Sequence, residues 1–256
     1  LAPVDGLEPE ELLAKADAAM YRVKRRGRGS WAFHGDPASG GPSPASPEAS
    51  AGPAITFELQ RAASGGLRGV EARLAPGADE AEPVAARAER LLRQTAARAG
   101  ELTDKPGSLI AVRVPGELWR APHFAELAGD LRAAAGRLEL LVDEADLIES
   151  PKRSSELLAE LVRAGVAAVA DGFGAGSTNL LALAQLPLSA VRLAPRLSGL
   201  AGTPEEGALR AAISAARSLE LQVIAAGVET QQQRQRLAQL GCDAFQQDCP
   251  AGEKCV

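Results

Sequence analysis

From residue 55 onward, short apolar runs alternate with stretches of helical spacing, and this alternation restricts the fold more than any other feature of the chain. Runs rich in Val, Ile, Leu and Ala fall at 55–60, 67–74, 108–114, 138–143, 166–170, 190–193, 222–226 and 243–246. Between the later ones lie helical stretches with start and stop signals. Residues 82–99 place Val84, Ala88, Leu91, Leu92 and Thr95 on one face. Ser150 before Pro151 reads as an N-cap followed by proline at the first helical position. Thr203-Pro204-Glu205-Glu206 and Thr230 with Gln233 have capping-box spacing, and Gly241 stands where a helix ends. Strand and helix repeated over some two hundred residues predict an α/β fold with a parallel sheet. The six residues Arg61 to Gly66 between the first two runs are too few for a crossover helix, so those two strands must pair antiparallel. The expected architecture is therefore a TIM-like (β/α)8 barrel with an antiparallel first strand, occupying 55–256, plus a short N-terminal helical remnant.

Two other segments precede the barrel. Residues 1–34 carry Leu12, Leu13, Ala16, Met20 and Val23 near helical spacing, closed by Gly27 and followed by a basic cluster that suits a helix C-terminus. Residues 35–54 hold five prolines, four glycines and four serines, too little apolar material to offset chain entropy, and read as a linker. The chain opens on Leu1, and we expect it to be a piece of a longer protein.

Composition excludes several function classes. With 28 Lys and Arg against 33 Asp and Glu the net charge is −5, which disfavours a nucleic-acid coat or polybasic membrane surface. Aromatics at 3 % give no base-stacking platform. No apolar run reaches the roughly 18 residues of a membrane helix, and no signal peptide opens the chain, so a cytoplasmic location is expected, including as the cytoplasmic part of a membrane-associated protein. Cys242, Cys249 and Cys255 include no C-x-x-C pair, and His34 and His123 are the only histidines, so disulfide frameworks, zinc knuckles and His-based triads have little to work with.

In an α/β barrel, chemistry gathers where the strands end at their C-terminal side. The strands present Glu71, then Arg113, then Leu141 with Asp143 and Glu144, then Asp171, Arg192, Ala226 with Glu229, and last Gln246. These positions sit in Gly69-Val70-Glu71-Ala72, L-E-L-x-x-x-E ending at Glu144, Asp171-Gly172-Phe173-Gly174-Ala175-Gly176, L-P-L-x-x-V-R-L around Arg192, V-I-A-x-G-V-E-T ending at Thr230, and L-G-C-D-x-x-Q ending at Gln246. Taken in order they resemble an EAL domain, the family that hydrolyses cyclic di-GMP. Residues Ala16 to Lys24 with Gly27-Arg28 likewise resemble the closing helix of a GGDEF domain, whose own signature is missing from the chain.

The resemblance implies two-metal phosphodiester hydrolysis with Mg or Mn held by oxygen ligands. Position by position, Glu71 matches the signature glutamate, Asp171 the first aspartate of D-D-F-G, Glu144 the glutamate that steadies that loop, and Glu229 the second glutamate of E-G-V-E-T. The departures are numerous. Arg113 stands for the family asparagine, Leu141 for a metal-binding glutamate, Gly172 for the second aspartate, Arg192 for a lysine and Ala226 for a glutamate; Phe57-Glu58 replaces Gln-Pro, and Ala75 an arginine. A guanidinium stays protonated and ligates no metal. Arg113, Arg192, Glu71 and Asp171 are therefore expected to form a salt-bridge cluster where active relatives hold ions. The resulting expectation is a catalytically silent EAL-like module that regulates or scaffolds cyclic di-GMP signalling through protein contacts, without a cofactor. Two alternatives stay open: a non-hydrolysing cyclic di-GMP receptor using Arg192 and Gly174, and an active metal-dependent phosphodiesterase using Glu71, Asp171 and Glu229 with Mg or Mn. The resemblance also implies a homodimer, and no nucleic-acid polymer as partner.

Overall fold

A computed structural model describes residues 55–74, 81–102, 108–176 and 178–246, all within the unit Pro53–Val256. The expected N-terminal helix, the linker 35–54, Ala75, Cys249 and Cys255 lie outside the described residues. Eight strands close a barrel in sequence order: β1 (Ile55–Ala62), β2 (Leu67–Leu74), β3 (Leu109–Val114), β4 (Leu138–Asp143), β5 (Ala167–Phe173), β6 (Ala190–Leu193), β7 (Gln222–Ala225) and β8 (Ala244–Gln246). β1 runs antiparallel to both neighbours, β2 and β8, and every other pairing is parallel. The hairpin expected from the short 61–66 connection is present, tightened to the turn Ala63–Gly66, because β1 extends through a register shift at Gln60/Arg61.

Helices cover the outside. α1 (Val84–Leu102) follows β2; α2 (Gly116–Trp119) and α3 (Phe124–Asp130) follow β3; α4 (Glu144–Glu149) and α5 (Pro151–Arg163) follow β4. α6 (Leu180–Leu183), α7 (Pro195–Ser198), α8 (Glu206–Ser218) and α9 (Gln231–Leu240) complete the described α-helices, and a 3-10 turn (Leu131–Ala134) follows α3. Among the described residues no helix is long and apolar enough to cross a membrane. The strand period of two sorts each strand onto two sides. Ile110, Val112, Leu140, Val142, Ala168, Ala170, Val191 and Val223 face outward and pack with Leu92, Phe124, Leu127, Leu131, Leu158, Leu161, Leu209 and Ile213 from the helices. The apolar faces at 156–162 and 209–219 are barrel packing, except Val162, which is exposed.

The inside of the barrel is built in tiers. One tier is apolar and small, with Ala111, Leu141, Val169, Ala190, Ile224 and Ala244, one from each strand from β3 to β8. Toward the strand N-terminal ends Arg68 grips Glu139 with two parallel bonds (Nη1–Oε2 2.8 Å, Nη2–Oε1 2.7 Å) and also donates to Gln60 Oε1 at 2.8 Å. Toward the C-terminal ends lies the charged tier described below.

Local signals account for several boundaries. Thr230 accepts from Gln233 N at 3.1 Å, while the Gln233 side chain accepts from Glu229 N at 3.0 Å, a reciprocal cap at the start of α9. Gly241 closes that helix at φ 103°, a left-handed conformation that side chains beyond glycine resist. Thr203 does not cap α8: its hydroxyl donates back to Leu200 O, and the helix begins at Glu206, whose carboxylate accepts from Gly202 N and from Arg210 and Arg236. Ser150 precedes α5 without a side-chain capping bond. β5 continues past residue 170 to Phe173, because Gly172 adopts φ 73° and forms a bulge rather than ending the strand.

Gly69 shows how tightly β2 and β3 approach. A Cβ there would sit 2.1 Å from Leu109 O. Gly69→Ala should therefore lower stability by about 1–3 kcal/mol, the range for an overpacked interior, read as a lower urea midpoint with an unchanged slope. An unaltered midpoint would mean that the two strands separate at no cost.

Candidate functional site

The side chains of the charged tier come from six strands. β6 contributes Arg192, β5 Asp171, β2 Glu71 and Arg73, β1 Glu58, β8 Gln246 and β3 Arg113. Period two explains the grouping: Glu71 and Arg73 stand on the same side of β2, and Glu58 lies directly across from Glu71 in the hairpin register. Asp171 in turn pairs with Arg192 in the β5–β6 register.

Arg192 is the centre. It is only 2 % exposed, yet its guanidinium makes four hydrogen bonds. Nε and Nη2 donate to the two oxygens of Asp171 at 2.6 and 2.8 Å. Nη1 donates to Glu71 Oε2 at 2.5 Å and to Gln246 Oε1 at 2.6 Å. The Gln246 amide passes the contact on, donating to Glu71 Oε2 at 2.6 Å and to Glu58 Oε2 at 3.0 Å. Arg73 clamps the hairpin from its edge, with Nε to Glu71 Oε1 at 3.1 Å and Nη1 to Glu58 Oε1 at 2.7 Å. Arg113, about half exposed, pairs with Asp171 Oδ2 from the rim. Three guanidinium groups thus meet three carboxylates, and the set is neutral.

The electrostatics follow from the geometry. Burial alone would push the Glu71 and Asp171 carboxyls upward. For Glu71 the charges of Arg192 and Arg73 outweigh that effect and hold it below the ordinary value of 4.5. For Asp171 the hydrogen bonds and charge of Arg192, aided by Arg113 and Gly172 N, hold it below 3.8. Burial opposes the charge on Arg192, but Asp171 and Glu71 reverse that and raise it, so the guanidinium is permanently ionised.

The sequence-derived candidates do not all converge. Glu71, Asp171, Arg192 and Arg113 meet. Glu229 does not join them: it is exposed, beside a cleft of about 740 Å³ between α7 and α9 that is also lined by Pro195, Gly227, Gln233 and Arg236. Leu141 is fully buried in the apolar tier, and Gly172 is the bulge residue, its N–H donating to Asp171 Oδ1 at 2.9 Å. Ala226 follows β7 directly and is half-buried. Gly174 gives its N–H to Glu144 Oε2 at 3.2 Å, an oxygen that also accepts from Thr178 Oγ1 at 3.3 Å, so Glu144 holds the loop after β5. Burial raises the Glu144 carboxyl above its usual range. Of the network's other members, Gln246 is the residue that the last strand presents in the sequence, Arg73 stands two residues from Glu71 on the same side of its strand, and Glu58 takes its place only through the hairpin register.

The donor set does not fit a pair of divalent ions. Asp171 accepts four bonds, two on each oxygen, which uses its lone pairs. Glu71 accepts three, one on Oε1 and two on Oε2. The other oxygens of the tier are engaged as well, Glu58 by Arg73 and the Gln246 amide and Gln246 Oε1 by Arg192, and the guanidinium groups themselves cannot ligate.

Comparison with known proteins places this geometry. The chain matches the EAL domain over residues 51–249. An uncharacterized signaling protein of Caulobacter vibrioides is 28 % identical over 263 aligned positions, covering 91 % of this chain and 32 % of that protein. The bifunctional diguanylate cyclase/cyclic di-GMP phosphodiesterase MucR of Pseudomonas aeruginosa is 35 % identical over 111 residues, 43 % of this chain and 16 % of that protein. The chain thus spans about a third or less of the length of these curated relatives. In fold it is similar to the PaMucR phosphodiesterase in its c-di-GMP complex (TM-score 0.66, 24 % identity, 76 % of this chain and 88 % of that one). It is similarly like the EAL domain of Mycobacterium smegmatis DcpA (TM-score 0.65, 22 % identity, 76 % and 90 %).

Because Glu71 and Asp171 titrate lower in the folded chain than in the unfolded one, their contribution is complete above about pH 5 and is lost as pH falls through the lowered folded values. The urea midpoint should therefore fall below about pH 4. Glu71→Gln/Asp171→Asn should be less stable at pH 7 and show a flatter acid limb, because the two titrations are gone. An acid limb as steep as that of the parent chain would show that other carboxylates govern it.

Proposed function

The chain belongs to the EAL domain family, and from that premise we propose that its barrel is a catalytically silent EAL domain, acting in cyclic di-GMP signalling through protein contacts rather than turnover. Membership makes it an EAL domain of the kind found in cyclic di-GMP signalling proteins. The observation that supports silence is the saturation of Asp171 and near-saturation of Glu71 by Arg192, Arg113, Arg73, Gln246 and Gly172 N.

Metal-assisted hydrolysis needs oxygen donors that hold the ion and a water made acidic by it. Here the oxygens are given to guanidinium groups, and Leu141 supplies hydrocarbon where the family resemblance implies a further carboxylate. The three carboxylates of the charged tier are all engaged, Asp171 and Glu71 by Arg192 and Glu58 by Arg73 and the Gln246 amide. Asp171 and Glu71 are held ionised by their ion pairs, and accepting a proton would discard those pairs. The protein contacts of this reading include pairing with a second copy, as the family resemblance implies.

Incubation of the purified chain with cyclic di-GMP and Mg or Mn tests the proposal. The expected result is no linear dinucleotide above a protein-free control. Turnover that is abolished by Asp171→Asn would refute silence. Calorimetry on the same sample separates a scaffold, which releases no binding heat, from a non-hydrolysing receptor, which does.

A further inference from the structure

We infer that Arg192 is the resident cation of this barrel: the fold requires positive charge between Glu71 and Asp171, and β6 supplies it from the chain itself. The inference builds on the reading that these carboxylates hold no ions. It concerns stability, so it is measured without any substrate.

The argument starts from burial. Glu71 is fully buried and Asp171 only 5 % exposed, and they come from β2 and β5, 100 residues apart in the chain. Two carboxylates in such a place cannot both remain ionised without a nearby positive charge. Three guanidinium groups are close, but they differ in kind. Arg113 and Arg73 reach in from the rim, with side chains 51 % and 40 % exposed. Each also contacts only one of the two buried carboxylates, Arg113 touching Asp171 and Arg73 touching Glu71. Arg192 alone is buried and touches both, and it adds the Gln246 amide that ties β8 to β1 and β2.

The planar guanidinium suits this task. Its Nε and Nη2 meet both oxygens of Asp171 side by side, while Nη1 points the other way to Glu71 and Gln246. A compact ammonium has no such fork. Bridging by Arg192 joins β2, β5, β6 and β8 across the barrel, the mechanical role that an ion shared between carboxylates would serve. Removing Arg192 would leave Glu71, Asp171, Glu58 and the Gln246 carbonyl facing one another with a deficit of positive charge and with oxygens free to accept a hard cation.

Thermal melting of the whole chain tests this, with Mn ion as the probe and EDTA as the control. The parent chain should melt at the same temperature in EDTA and in about 5 mM Mn ion, because its oxygens are already engaged. Arg192→Met keeps an unbranched stem out to about the position of Nε and removes the guanidinium with its charge. It should melt about 10 °C lower in EDTA, as expected for leaving buried charges unpaired, and Mn ion should restore a saturable part of that loss. Glu71→Gln/Asp171→Asn/Arg192→Met removes the charges on both sides. It should melt higher than the single variant in EDTA and ignore Mn ion. Should the single variant fail to fold at all, a folded triple variant still supports the inference. A saturable gain of stability by the parent chain in Mn ion would overturn it. So would a triple variant that is unfolded or no more stable than Arg192→Met, since Arg192 would then act by packing rather than by charge. Absence of cyclic di-GMP turnover bears on the preceding proposal alone, and the melting results bear on this one.

Discussion

A single guanidinium, held between two carboxylates that are almost wholly out of water, organises the mouth of this barrel. Arg192 bonds to Asp171 on the neighbouring strand and to Glu71 and Gln246 across the interior. Through Gln246 and Arg73 the same network reaches Glu58 and so the antiparallel strand β1, which closes the barrel between β2 and β8. Strand closure by backbone bonds leaves the interior side chains to settle their own charges, and here they do so completely: three positive groups meet three negative ones.

Such a network is not an economical way to gain stability. Desolvating Glu71, Asp171 and Arg192, which are almost wholly buried, offsets much of their attraction, and an apolar core of the same shape is often as stable. What a buried ion network does impose is a large cost on any arrangement in which one partner is missing. That makes the mouth rigid in composition: neither an added cation nor an added anion finds uncompensated charge there. The apolar tier beneath reinforces this. Leu141 and Val169 fill the interior with hydrocarbon in the tier next to the charges.

The strands were readable because their two faces differ in chemistry. In β3, Ile110, Val112 and Val114 face the helices while Ala111 and Arg113 face inward, and the alternation stands out in the amino-acid order itself. The antiparallel start of the barrel was readable from connection length alone. The extension of β5 was not, because Gly172 as a sequence symbol reads as a stop, and only its φ of 73° within paired strand reveals a bulge. Thr203 misled for a similar reason: capping spacing is a local signal, but the Glu206 carboxylate is drawn to Arg210 and Arg236 and to Gly202 N, and the helix starts later. In the charged tier, the meeting of Arg192 with Glu71 and Asp171 was readable from charge counting. The parts played by Glu58 and Gln246 were not, since they depend on which residues of β1, β2 and β8 stand level.

The departures at the site are best understood together rather than singly. Had Leu141 been a carboxylate, the tier would carry a net negative charge in a buried place, and a cation beyond Arg192 would be needed to hold it. Had residue 192 been a lysine, one ammonium would have had to serve Asp171, Glu71 and Gln246 with three donors instead of the four bonds now made. The hydrocarbon at Leu141, the uncharged Ala226 and the guanidinium groups of Arg113 and Arg192 are mutually consistent, because each removes a demand that another would otherwise create. In the charged tier Glu58, Glu71 and Asp171 each meet at least one guanidinium, so no carboxylate of that tier is left needing a further cation.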